Sequence, residues 1–193
     1  MSMSDTSEPA LADGARRSIV PTIRTPRFEL VSMSLAFMRL LLVRDLVAAA
    51  AAIGAAVPPA FADRLDAFLQ FRIADLSGDP VIQPWLGRAI VEEGPAGRQV
   101  IGSVGFHAPP DEAGWVEIGY HVEPALQRHG VATEAADAML DWARREHGVR
   151  HVRACTAPDN VASRAVLARL GFREVGSAIN DLGGIQLIFE RDD

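Results

Sequence analysis

Gln127, Arg128 and His129 precede Gly130, Val131, Ala132 and Thr133, so donors flank a glycine where a helical pattern is about to begin. A glycine inside a helix costs roughly 1 kcal/mol relative to alanine, so its use here points to a need for bare backbone. The first turn of a helix leaves N–H groups without intrahelical partners and carries partial positive charge, and the two together favour a bound phosphate. Gly130 would admit phosphate oxygens to the backbone, Ala132 keeps the next approach open, and Gln127, Arg128 and Thr133 offer side-chain donors. A glycine in such a short pattern can equally just finish a turn. No Gly-Lys-Ser/Thr follows, so the stretch is not a P-loop, and the three-glycine dinucleotide fingerprint is absent.

The surrounding elements must hold that turn in place. "RFELVSM" alternates as a first strand, and "SLAFMRLLLVRDLVAAAAAIG" reads as two short helices interrupted at Asp45 and stopped by Gly54 and Pro58-Pro59. Phe61, Leu65, Phe68, Arg72 and Leu76 recur at three and four, which predicts one helix from Phe61 to Leu76. After Gly78-Asp79-Pro80 the period becomes two, and "WLGRAIVEE", "RQVIGSVGFHA" and "WVEIGYHV" read as an antiparallel meander. A helix from Gly130 to about His147 follows, closed by Gly148. Then come the strand "VRHVRACTA", the capped helix "PDNVASRAVLARLG", and two strands, "FREVGSA" and "IQLIFER". The order predicts an α/β (α+β) domain: a mixed, mostly antiparallel sheet of about seven strands with helices on both faces.

Composition narrows the classes. The 193 residues, 49% hydrophobic and 23% charged, suit one globular domain, expected over residues 23–193, with a mobile Ser-, Pro- and acid-rich arm at 1–22. A net charge of -6 argues against a nucleic-acid partner, which needs clustered Lys and Arg. Arg16-Arg17 is followed by Pro21, Arg24 and Pro26 rather than an apolar export segment, and the run Val47 to Val57 is far short of the ~20 residues that cross a bilayer. The expectation is a cytoplasmic protein with no membrane partner. The single Cys155 forms no intrachain disulfide, and the histidines lack metal-ligand spacing, so no metal is expected.

"VEIGYHVEPALQRHGVATEAADAML" followed by "APDNVASRAVLARLGF" resembles the GNAT superfamily of acetyl-CoA-dependent N-acetyltransferases, nearest in pattern to its ribosomal-protein N-terminal (RimJ/RimL-like) branch. Gln127, Gly130 and Ala132 match the family's turn signature, and Asn160, Ser163, Gly171 and Phe172 match its downstream helix. The resemblance reaches weakly back to "TPRFEL" and covers roughly residues 23 to 190. It implies acetyl-CoA as cosubstrate, its diphosphate on the turn and its pantetheine arm between two splayed strands. The contacts it implies fall to Val122, Gln127, Arg128, His129, Gly130, Val131, Ala132 and Thr133. The implied partner is a primary amine, on a protein N-terminus or a small molecule, and a homodimer is in keeping with the family.

An amine with a pKa of about 8 to 10 must lose a proton to attack a thioester, and the departing thiolate calls for a proton donor. Glu117, between Val116 and Ile118 on the central strand, is the candidate base, with burial expected to raise its pKa; a structural glutamate is the competing reading. Tyr120 is the only tyrosine, while Asn160, Ser163, Leu167 and Leu170 share one helical face, which makes Ser163 the candidate proton donor. A serine bonded to its own helix backbone is the alternative. Asn160 can bond the pantetheine arm or cap its helix. Gly119 marks either a bulge or a tight packing point, and His121 borders the proposed cleft. His107 reads as a surface or packing residue, and Trp85 and Trp115 as core or acceptor pocket. Cys155 is a poor nucleophile candidate, so direct transfer in a ternary complex is expected over an acyl-enzyme. A non-catalytic coenzyme A sensor is the alternative function. Residues 34 to 80 and 177 to 190, on the substrate side, carry no decodable pattern.

Overall fold

Successive side chains of a strand point to opposite faces, so a sheet covered on both sides needs apolar residues at neighbouring positions. Strand Arg88–Gly94 meets that requirement: Ile90 packs in one core cluster while Ala89 and Val91 pack in another. A computed structural model describes residues 20–180 and 183–192. Its strands are β1 (Ile23–Arg24), β2 (Phe28–Ser32), β3 (Arg88–Gly94), β4 (Gly97–Phe106), β5 (Trp115–Val122), β6 (His151–Thr156), β7 (Arg173–Ile179) and β8 (Ile185–Asp192). The helices are α1 (Leu35–Leu42), α2 (Leu46–Ile53), α3 (Pro59–Asp63), α4 (Asp66–Gly78), α5 (Val131–His147) and α6 (Val161–Arg169). Among the described residues the strands form one sheet in the order β1-β2-β3-β4-β5-β6-β8-β7. All pairs are antiparallel except β5–β6.

The eighth strand is the two-residue β1, too short to carry an alternation in the sequence. Of the expected arm at 1–22, residues 1–19 lie outside the described residues. Its Pro21 carbonyl accepts a hydrogen bond at 2.8 Å from Arg88, a guanidinium only 1% exposed. Burial lowers the pKa of Arg88 to about 10, so it stays charged at neutral pH, held by the Pro21 and Pro84 carbonyls and the face of Trp142.

Two predicted elements are corrected. The helix expected from Phe61 to Leu76 is two helices, α3 and α4, because the chain turns at Leu65, whose N–H bonds the Ala62 carbonyl. Arg44 pins that corner by pairing with Asp63 at 3.3 Å and Asp66 at 2.9 Å. The strand expected from Trp85 begins only at Arg88, since Trp85 and Leu86 close helical turns onto Ile82 and Gln83. Trp85 is core, packed against Phe106 and Trp142. Trp115 is half-buried, with Arg153 and His151 over its ring. The two helices around Asp45 form as expected, with the Asp45 side chain capping α2 at the Ala48 N–H.

The helices divide between the faces. Leu30, Ile90, Ile101, Val116, Ile118 and Val152 pack with Ala135 and Met139 of α5 and Leu167 of α6. Ala89, Val91 and Val100 pack with α1 to α4 through Phe37, Ile53, Phe61 and Leu69. Between β5 and β6 only three parallel rungs form, Trp115–His151, Val116–Val152 and Glu117–Arg153. Beyond Glu117 the two strands part, so β5 and β6 open a wedge toward the N-terminus of α5.

Candidate functional site

At the mouth of that wedge the chain leaves β5, makes a short 3-10 turn over Pro124–Leu126, and enters α5. Arg128 at φ 67° and Gly130 at φ 78° both lie in the left-handed region, where glycine is at ease and arginine is strained. Gly130 is thus required by the backbone itself, besides leaving room for an anion. Its carbonyl accepts from the Glu134 N–H at 3.0 Å, the first turn-closing bond of the helix. Among the described residues, no hydrogen bond engages the amides of residues 128–133, and no side chain caps the helix. The Thr133 hydroxyl on the same first turn is buried without a partner. Such orphaned donors are rare in native proteins and mark a place that a polar ligand completes.

The turn is braced from outside. Glu134 accepts from Thr25 Oγ1 at 2.6 Å, from the Arg27 N–H at 3.0 Å and from Arg27 Nε at 2.6 Å. Burial acts to raise the pKa of Glu134, but the hydrogen bonds from Thr25 and Arg27 together outweigh it and hold the carboxyl below its ordinary range. Arg27 also donates to the His129 carbonyl at 3.0 Å, and His129 is not among the cleft-lining residues. The Gln127 side chain, expected as a ligand donor, instead closes the turn on the Val122 carbonyl at 3.0 Å.

Between this turn and α6 lies a cleft of about 580 Å3, within the range of small-molecule sites. It brings together Val122, Gln127, Arg128, Gly130, Val131, Ala132, Thr133, Asn160 and Ser163, nine of the residues expected from the sequence. Tyr120 and Arg169 join them. Asn160 is the cap of α6, its side-chain oxygen accepting from the Ser163 N–H at 3.0 Å. The Ser163 hydroxyl meets the Tyr120 hydroxyl at 3.0 Å, and Tyr120 also reaches the Ser163 carbonyl at 3.2 Å. Ser163 therefore bonds across to β5 rather than back to its own helix. Burial raises the pKa of Tyr120, with the Ser163 bond opposing more weakly, so the phenol keeps its proton at neutral pH. Tyr120, weighed in the sequence as the only tyrosine and passed over for Ser163, lines the same cleft; its alternation with Ile118 and Val122 puts it on the α6 side of β5.

Glu117 is on the other face and does not line this cleft. It occupies the last rung before the strands part. His107 Nδ1 stands 3.3 Å from its Oε1, with Cys155 and Arg153 also against it. The expectation that burial would raise its pKa is overturned. The hydrogen bond from His107 is the largest influence and lowers it, and burial, acting upward, is outweighed. Burial and the neighbouring Glu117 charge push Cys155 up to about 11, which leaves little thiolate at neutral pH. No bulge occurs at Gly119, which pairs in register with Gly105. A Cβ there would come 3.0 Å from His107 Nε2, so the glycine is a tight packing point. His121 Nε2 is buried without a partner, and burial lowers the pKa of the ring, with the Arg64 charge acting in the same direction.

Among the described residues, no group of three or more His, Cys, Asp or Glu could hold a metal ion, and no helix is long and apolar enough to cross a membrane.

Comparison with known proteins agrees with this geometry. YjdG of Bacillus subtilis, an uncharacterized N-acetyltransferase, is 35% identical over 74 residues, 38% of this chain and 44% of that protein, so the match spans less than half of the relative. Mycobacterium smegmatis RimJ, solved in complex with CoA-disulfide, superposes with a TM-score of 0.64 at 19% identity over 90% of this chain and 88% of its own. The ribosomal-protein-S5-alanine acetyltransferase of Vibrio fischeri gives 0.62 at 15% identity over 89% and 96%. At these identities both structures speak for the fold. The model of the acetyltransferase (GNAT) domain matches residues 55–173, a span that holds the splayed strands, the open turn and the Asn160 helix, and the chain belongs to that family.

Proposed function

We propose that the protein moves an acetyl group from acetyl-CoA to a primary amine by direct attack in a ternary complex. One observation carries this reading: the unengaged amides of residues 130–133 and the orphaned Thr133 hydroxyl open onto the same cleft as the Tyr120–Ser163 pair. Anion-binding donors at one end and a proton donor at the other suit a ligand with a diphosphate at one end and a thioester at the other. The coenzyme, when bound, supplies an acetyl thioester whose sulfur must leave with a proton. Arg128, the amides from Gly130 to Thr133 and the Thr133 hydroxyl hold the diphosphate. Val122 and Asn160 flank the pantetheine arm where β5 and β6 diverge. Tyr120, kept protonated by burial and joined to Ser163, donates to the sulfur, and Ser163 relays or replaces it. The amine enters from the α1–α4 face, and its proton leaves toward Glu117. Cys155, held as a thiol, takes no acyl group.

The test is an acetyl-CoA consumption screen of the full chain against amines and peptides. Peptides beginning with Ala or Ser come first, because the Vibrio fischeri neighbour is named as a ribosomal-protein-S5-alanine acetyltransferase and a Vibrio cholerae one as a ribosomal-protein-serine acetyltransferase. Turnover with a peptide or small amine is expected, and Glu117→Gln and Ser163→Ala lower it while calorimetry still registers acetyl-CoA. Binding of acetyl-CoA without turnover of any amine would make the protein a coenzyme A sensor.

A further inference from the structure

His107, unremarkable in the sequence, is held by more contacts than a surface residue needs. Its N–H donates to the Glu117 carbonyl at 2.8 Å, and its own carbonyl accepts from Arg72 of α4. Its Nδ1 stands 3.3 Å from Glu117 Oε1. The opposite nitrogen, Nε2, lies over Gly119, where a Cβ would come within 3.0 Å of it. The ring therefore spans from the last paired rung of β5 to the first stretch where β5 and β6 have separated. The His107 side chain is 55% exposed against 34% for Glu117, so an incoming amine reaches the imidazole before the carboxylate.

Resting on the acetyl-transfer reading, we propose that His107 is the base that takes the proton of the acceptor amine and that Glu117 is its positioning residue. A carboxylate on Nδ1 fixes the tautomer: Nδ1 carries the hydrogen and Nε2 presents a lone pair toward the gap above Gly119. As the amine nitrogen bonds the acetyl carbon and the carbon–sulfur bond breaks, the amine proton passes to Nε2. Glu117 stabilises the imidazolium so formed, and the ring returns the proton to solvent. The sulfur is protonated separately, from Tyr120 and Ser163 across the sheet. Glu117 serves better as an orienting charge than as the base, since its bonds to His107 and Cys155 and the charge of Arg153 favour its ionised form.

The experiment measures turnover of acetyl-CoA with the Ala- and Ser-leading peptides, alongside calorimetric affinity for acetyl-CoA. His107→Ala is expected to lower kcat about a hundredfold, the usual contribution of a general base, with acetyl-CoA affinity unchanged and part of the rate restored by added imidazole. Gly119→Ala, which keeps His107 but pushes its ring aside, lowers kcat about tenfold. Glu117→Gln lowers kcat less than His107→Ala does. Nitrogen NMR of the ring in the full-length protein is expected to find Nδ1 protonated and Nε2 bare, a pattern lost in Glu117→Gln. A His107→Ala enzyme with near-normal kcat beside a dead Glu117→Gln would overturn the assignment and return the base role to Glu117. A wild-type ring protonated at Nε2 would overturn it as well. If the wild-type chain acetylates no amine at all, the acetyl-transfer reading itself fails, and His107 loses its role with it.

Discussion

On the face of the sheet covered by α5 and α6, the candidate site is made of backbone: amides at a helix start, one left-handed glycine, and a hydroxyl with no partner. On the face covered by α1 to α4 it is made of side chains from distant segments, with Glu117, His107, Arg153 and Cys155 gathered by strand register. Under the proposed function the turn on the first face holds a charged ligand whose shape does not change, and its amides need no ordering and carry no proton equilibrium. On the same reading the second moves a proton, and it holds groups whose charge depends on their neighbours. Under the proposed function, substitutions on the first face act on coenzyme affinity and those on the second act on kcat.

The sharpest way to break that division is at Gly130. A side chain there adds about 1–2 kcal/mol of left-handed backbone strain and forfeits a charged hydrogen bond of about 1.5–3 kcal/mol, so Gly130→Val should weaken acetyl-CoA binding about 500-fold by calorimetry. Tyr120→Phe sits on the coenzyme face yet should violate the rule in a defined way. It should lower kcat about a hundredfold in steady-state assays while leaving acetyl-CoA affinity nearly unchanged, because the hydroxyl contributes as a proton donor. Equal losses in kcat and affinity there would mean that Tyr120 only holds the ligand.

Thr133→Val gives a smaller effect with opposite signs in two measurements. Removing a buried, unpartnered hydroxyl should raise the melting temperature of the free protein slightly, whereas acetyl-CoA binding should weaken about tenfold. The smallest expected change is at Glu134, which braces the turn without touching the cleft. Its folded pKa is held low, so its contribution to stability is complete above the ordinary glutamate value of about 4.3 and fades as the pH falls through the lower folded value. Melting curves of wild type and Glu134→Gln should differ at neutral pH and converge in acid. A constant gap at every pH would show that the carboxylate is not the brace.

The same contrast explains what could be read in advance. Gln127, Gly130, Ala132, Asn160 and Ser163 fall within two short local patterns, a helix start and a capped helix, and the cleft joins those patterns as expected. His129 stands outside the cleft, and the partner of its carbonyl, Arg27, comes from a turn 102 residues away in the chain, beyond the reach of any local pattern. His107 gave no signal, since it follows β4 in a turn leading to Pro109-Pro110 and meets Glu117 only through strand pairing. The direction of the Glu117 pKa was misjudged for the same reason: burial was foreseeable from its apolar flanks, and the histidine that outweighs burial was not.

Sequence alone determined the alternation of strands, the ends of α2, α5 and α6, and the glycine at the turn that starts α5. These are decided by φ/ψ preference, periodicity and capping over a few residues, which any stretch of chain carries with it. Tertiary structure alone decided that β5 and β6 separate after Glu117, that Tyr120 meets Ser163 across the gap, and that α3 and α4 turn at Leu65 rather than run on. Those outcomes depend on which strands pair and in what register, and pairing free energy comes from contacts between residues tens of positions apart, which no local pattern encodes.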